Sequence, residues 1–321
     1  MGALLSSCAE KPTDAAEGVA AGENRALVFI KPHAVTAAVR ELVPKFLAEH
    51  GVKVVSQGEL TGKDIDSKGV IDDHYAHIAK IAMRAEPSEL VVADDKKKDF
   101  AAKFGKGEWD ALVKDGKVVN LAQYQKKTGK SANEVDKLWL ACATFKLAPG
   151  TYVGEIEEGL FILNAFYGVM RQVYTDVQAK VVYFVVRFPE AELSWKDFRG
   201  KVIGATDPSK ATEGSLRAKI LAEYADLGLT EEPNMGKNGV HASAGPIEGL
   251  RERQVWTGQD VAADPFGQAI LGAGVSRAVL DSYLANERVT IDGETDNAYD
   301  LLEDKDSSKV IALARKATSK L

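Results

Sequence analysis

The run Val181-Val-Tyr-Phe-Val-Val186 is β-branched or aromatic at every position, so its natural form is a buried central strand. A second short apolar run, Ala26-Leu-Val-Phe-Ile30, is stopped by Pro32 and reads the same way. Between them Val39, Leu42, Val43, Phe46 and Leu47 recur at helical spacing, and Gly51 closes that helix. Pro44 lies inside it and should kink the helix or shift its start.

Residues 52–60 return to strand character and 64–82 to helical spacing. After the central strand come a short helix at 190–198, a Gly/Thr/Pro loop at 204–208, a helix at 212–224 and a short strand ending at His241. This order predicts an α/β (α+β) sandwich of the ferredoxin-like βαββαβ type around a four-stranded antiparallel sheet.

The remaining texture divides the chain. Residues 1–24 read as a flexible tail without apolar period, and folding begins near Arg25. The core domain is expected over 25–84 and 160–255. A helical subdomain is inserted at 85–159, and a C-terminal extension with two helical pieces, 276–286 and 308–320, covers 256–321. Residues 155–174 are expected to be helical.

Lys and Arg total 41 against 47 Asp and Glu, a net charge of -6, so no basic field favours nucleic acid. The two cysteines, Cys8 and Cys142, have no metal-site spacing and fit a reducing, cytoplasmic compartment. No apolar run reaches the roughly 18 residues a membrane span needs. Met1-Gly2 followed by Ser6 and Cys8 matches an acylation pattern, with Gly2 and Cys8 as lipid acceptors. Two chains would be needed for stable anchoring. The other reading of this tail is an unstructured Ala/Ser-rich leader.

Three clusters could carry chemistry. Lys31 sits where the first strand ends, a common place for a group that meets ligand. Thr206, in Gly204-Ala-Thr-Asp-Pro208, and Arg217 pair a hydroxyl with a fork-shaped cation, which suits phosphate. Asn238-Gly-Val-His241-Ala-Ser243, followed by Glu252, offers an imidazole nucleophile with a hydroxyl and a carboxylate to orient it.

In order and spacing these segments resemble the nucleoside diphosphate kinase family over about half the chain. The resemblance implies that His241 is transiently phosphorylated, with Ser243 and Glu252 supporting it. It assigns Lys31, Tyr75, Thr206, Arg217 and Asn238 to the nucleotide's phosphates and sugar, and Phe166 to stacking on its base. It further implies ATP and nucleoside diphosphates as substrates, Mg²⁺ carried on their phosphates, ping-pong transfer and a homo-oligomer.

The chain departs from the family at several points. The family's phosphate-binding arginine falls on Gly200, between Arg199 and Lys201, which makes Arg199 the stand-in. His33 and Ala34 replace Asp and Gly, and Ala242 replaces a glycine beside the nucleophile. Tyr75 and Phe166 are 91 positions apart and Arg217 and His241 are 24 apart, both more than in the family. The alternative to an enzyme is a non-catalytic scaffold of the cilium or flagellum, with axonemal or membrane-associated partners.

His33, His50, His74 and His77 read by default as ordinary structural residues. Gly129-Lys-Ser131 lacks the strand and first glycine of a phosphate loop. Asp292, Glu294, Asp296, Asp300 and Glu303 fall at calcium-loop offsets, but Asn297 replaces the turn glycine, so a solvated acidic loop is expected.

Overall fold

The computed structural model describes residues 22–318, so the Gly2 and Cys8 acylation sites lie outside the described residues. The chain divides into two compact units, one formed by the segments up to Glu59 and from Val181 onward, the other by Leu60–Lys180. No described helix is long and apolar enough to cross a membrane.

The first unit is built on β1 (Glu23–Ile30), α1 (Ala37–Glu49), β2 (Lys53–Thr61), β3 (Lys180–Pro189), α2 (Leu216–Ala222), β4 (Val240–Ala242) and α3 (Pro246–Thr257). Its sheet runs in the order β2-β3-β1-β4, the order of a βαββαβ fold. β1 is antiparallel to both neighbours, with Leu27 opposite Val185 and Phe29 opposite His241. Sequence pattern and sheet therefore agree, and the second unit enters the chain between β2 and β3.

Alternation along β1 assigns its two faces. Ala26, Val28 and Ile30 join a core with Val39, Val43, Phe46 and Leu47 of α1 and with Val182, Phe184 and Val186 of β3. Phe29, one residue out of phase, instead stacks on Trp256 of α3 at 4.6 Å. Helix α1 starts at a Thr36 cap that accepts the Val39 N–H, and Pro44 sits within the continuous helix rather than displacing its start.

The C-terminal extension packs its own apolar core, including Phe266, Leu280, Tyr283 and Leu313, onto Ile247 and Leu250 of α3. A buried bidentate pair, Arg253 to Asp264 at 2.7 and 2.9 Å, ties α3 to the extension's first helix, which Asp264 also caps through the N–H groups of Phe266 and Gly267. The acidic segment at 292–303 is solvent-exposed at 292–296, as expected, but it is not an irregular loop. It forms a hairpin, Arg288–Ile291 with Glu294–Asn297, that turns on Asp292 and Gly293 in left-handed conformations. Glu294 and Asp296 lie on extended backbone opposite Ile291 and Val289, which does not curl them around one ion.

The second unit is not simply helical. A four-stranded sheet, in the order Val118–Asn120, Leu160–Leu163, Thr151–Glu157, Thr144–Ala148, accompanies its helices. The helix expected over 155–174 is corrected accordingly. Thr151–Glu157 and Leu160–Leu163 are antiparallel strands joined at Gly159, and helix appears only at Tyr167–Thr175. β-branched and aromatic residues such as Thr151, Tyr152, Val153 and Phe161 find cross-strand partners here, which outweighs the helical spacing of the window. The expected 64–82 helix is likewise broken, first by left-handed Gly69. Gly129 and Ser131 end one helix and cap the next, so Gly129-Lys-Ser131 is a helix–helix turn.

Candidate active site

His241 is placed by sheet register. It stands directly opposite Phe29, on the same face, and its ring stacks on the phenyl ring at 4.6 Å with an interplanar angle of 20°. Helix α3 covers that face and brings Glu252 to it. The His241 Nε2–H donates to Glu252 Oε1 at 2.6 Å, and the Ser243 hydroxyl donates to Glu252 Oε2 at 2.5 Å. Ser243 is itself anchored, since its Oγ accepts the Leu27 N–H at 2.9 Å. Glu252 is 3% exposed and Ser243 fully buried. The expected trio thus meets as a relay, in which the carboxylate favours the ring tautomer with its hydrogen on Nε2 and its lone pair on Nδ1.

Lys31 extends from the end of β1. Its backbone N–H donates to Gly239 C=O at 2.9 Å and its Nζ donates to Gly236 C=O at 3.4 Å. Arg217, on α2, bridges two segments by donating to Gly204 C=O at 2.8 Å and Val240 C=O at 2.9 Å. Burial, and then Arg217's charge, bring the Lys31 ammonium down to about 8. Burial and the charge of Arg199 bring Arg217 down to about 10. Among the described residues neither cation has a carboxylate partner, so positive charge accumulates at a partly buried place.

Three buried polar atoms lie around the same loop without a hydrogen-bond partner: Ser215 Oγ, Arg217 Nε and Asn238 Oδ1. Asn238 spends its Nδ2 on the carbonyls of Thr206 and Met235, at 2.9 and 3.4 Å. Buried donors and acceptors of this kind are costly unless something completes them.

The other expected residues take different positions. Thr206 is exposed and is tied to Asn238 through its carbonyl rather than its hydroxyl. Arg199 lies on a π-helical turn, Phe198–Ile203, and its guanidinium pairs with Glu303 at 3.2 Å and Asp304 at 2.7 Å. Tyr75 and Phe166 belong to the second unit, where both pack against its core, with Phe166 5.9 Å from Trp139 and 5.8 Å from Tyr152 between ring centroids. His50 stacks on Phe46 and His77 donates to Pro149 C=O, as structural histidines do.

His33 is more than a background residue. Its Nε2 accepts the Gly239 N–H at 3.1 Å, fixing the turn between Asn238 and β4. Burial, then the charges of Lys31 and Lys237, lower its imidazole to about 4, so it is neutral at physiological pH. Ser215 and Glu248 were not anticipated. Glu248 was accessible from sequence, because it lies four residues before Glu252 on a helix and must share its face. Ser215 had no such signal.

No protein-family model matches the chain, and no curated protein matches it. Among solved structures it is similar to an apo nucleoside diphosphate kinase from Encephalitozoon cuniculi, with 14% identity, 74% of this chain and 90% of that one covered, and a TM-score of 0.37. An NDP kinase from Pyrobaculum aerophilum is similar at 17% identity, with 73% and 95% covered and a TM-score of 0.34. A nucleoside-diphosphate kinase from Borrelia burgdorferi, a transition-state mimic with bound vanadate and ADP, is similar at 16% identity, with 73% and 86% covered and a TM-score of 0.31. The chemistry of the site stands on its own side chains.

Proposed function

We propose that this chain is a nucleoside diphosphate kinase, which takes the γ-phosphate of a nucleoside triphosphate onto His241 and passes it to a nucleoside diphosphate. The observation that carries the reading is the His241–Glu252–Ser243 relay. With Nε2–H held by Glu252, Nδ1 carries the nucleophilic lone pair, and the carboxylate stabilises the positive charge that develops as an N–P bond forms and the bond from phosphorus to the leaving oxygen breaks. Lys31 and Arg217 supply the cations that a polyphosphate needs, and the partnerless Asn238 Oδ1 and Ser215 Oγ supply polar atoms for the rest of the ligand. Mg²⁺ enters with the nucleotide as part of the substrate.

The test is incubation of wild type and His241→Ala with γ-labelled ATP and Mg²⁺, followed by assay for acid-labile label and its transfer to a second nucleoside diphosphate. Label on wild type alone, discharged by the diphosphate, is the expected result. Absence of label on wild type would overturn the reading.

Two observations favour a second reading, a nucleotide-binding scaffold without turnover. Arg199 is drawn to Glu303 and Asp304, and Ala242 sets a methyl group beside the nucleophile. Nucleotide binding by wild type without label would select it. Acylation of Gly2 and Cys8 and axonemal or flagellar-membrane partners belong to that reading.

A further inference from the structure

The backbone just beyond His241 is held at every turn. The Ser243 N–H donates to Leu27 C=O at 3.0 Å, the Ser243 carbonyl accepts Trp195 Nε1–H at 3.3 Å, and the Ala244 carbonyl accepts the Asp304 N–H at 3.0 Å. The fourth group, the Ala244 N–H, donates to a side chain: Glu248 Oε2, at 2.9 Å. Glu248 stands one helical turn before Glu252 on α3, so the two carboxyl groups share a face.

We propose that Glu248 is a positioning residue of the His241 site, holding the Ser243–Ala244 backbone through the Ala244 N–H while leaving the negative charge to Glu252. This deepens the phosphocarrier reading and rests on it. Two carboxyl groups one turn apart, Glu252 buried and Glu248 partly so, do not both ionise cheaply. Glu252 receives two side-chain donors, His241 Nε2–H and Ser243 Oγ–H, whereas Glu248 receives one backbone donor. The charge therefore settles on Glu252 and the proton on Glu248.

The surroundings of Glu248 agree. Burial and the charge of Glu252 push its carboxyl up to about 8, Glu303 adds to the rise, and Arg199 together with the Ala244 N–H opposes it. Tyr299, from the extension, also feels both carboxyl groups and is held neutral well above the usual tyrosine range, chiefly by burial. A second negative charge appears beside the His241–Glu252 pair only when Glu248 ionises, and the nearby ring senses it.

The experiment uses full-length wild type, Glu248→Gln and Glu248→Ala with ¹⁵N-labelled histidine and backbone, followed by NMR from about pH 5 to about pH 10. In wild type the His241 ring resonances should show an inflection near pH 8 that reports the ionisation of Glu248. Glu248→Gln, which keeps an acceptor for the Ala244 N–H, should lose that inflection and leave the His241 resonances below it unchanged. Glu248→Ala should lose it too, and the Ala244 amide should exchange at least about tenfold faster.

A wild type without the inflection, an inflection that survives in Glu248→Gln, or an Ala244 amide as protected in Glu248→Ala as in wild type would each overturn the proposal. If Glu248→Ala does not fold, the other two titrations decide. Neither readout needs phosphoryl transfer, so a protein that takes no label from ATP sinks the functional reading without deciding this one.

Discussion

His241 and Glu252 meet across 2.6 Å, Nε2–H to Oε1, and so join an edge strand to the helix that packs over it. Replacing Glu252 by Gln keeps the shape but removes the charge that stabilises a cationic phosphoimidazole. The rate of label uptake from ATP in rapid-quench experiments should fall by roughly 10²-fold or more, in the range of electrostatic transition-state stabilisation. An unchanged rate would remove Glu252 from the mechanism.

Lys31 makes ligand binding depend on pH. Its ammonium loses a proton at about 8 in the unliganded protein, and a bound polyphosphate would draw that proton back. Calorimetry should show pyrophosphate affinity falling above about pH 8, by at most about tenfold per pH unit for one linked proton. Lys31→Gln should bind more weakly and show no such fall.

Arg217 holds two carbonyls that belong to different segments, Gly204 and Val240, and a lysine cannot span both with its single ammonium. Arg217→Lys should therefore behave like Arg217→Ala, lowering ADP affinity about tenfold or more and destabilising the fold by about 1–2 kcal/mol. Equilibrium binding and urea unfolding measure the two effects. Full rescue by lysine would show that only charge matters.

His33 shapes the pH dependence of stability. The native imidazole titrates at about 4 and the unfolded one near 6.5, so between these values the unfolded chain binds more protons. The contribution of neutral His33 is whole above pH 6.5 and is lost as pH falls toward 4, where protonation also removes the acceptor for the Gly239 N–H. The urea midpoint of wild type should drop over this window more than that of His33→Gln.

Gly245 marks where the extension meets the site. A Cβ there would lie 3.0 Å from Glu303 Cα and 3.1 Å from Leu302 O, both backbone atoms that cannot swing aside. Gly245→Ala should cost about 1–3 kcal/mol, the usual penalty for overpacking. Thermal melts would show it, and a neutral result would mean that the extension gives way at this point.

The sheet and most of the relay follow from the residues themselves. The short apolar runs at 26–30 and 181–186 are bounded and composed as buried strands, and the spacing of His241, Ser243 and Glu252 on a strand and its following helix sets their facing sides by local periodicity. Local periodicity failed at 155–174, where a helical spacing yielded to hairpin partners and, for Phe161–Leu163, to the far earlier strand Val118–Asn120. It was equally silent about Arg199, whose partners Glu303 and Asp304 come from about a hundred residues later, and about Ser215, Arg217 Nε and Asn238 Oδ1, which are orphaned only once three distant segments close around them. Burial and charge at this site are sums over neighbours from many parts of the chain. Only the tertiary fold brings Lys31 down to about 8, leaves His33 neutral, and sets Glu248 beside Glu252, where burial and the neighbouring charge raise its carboxyl.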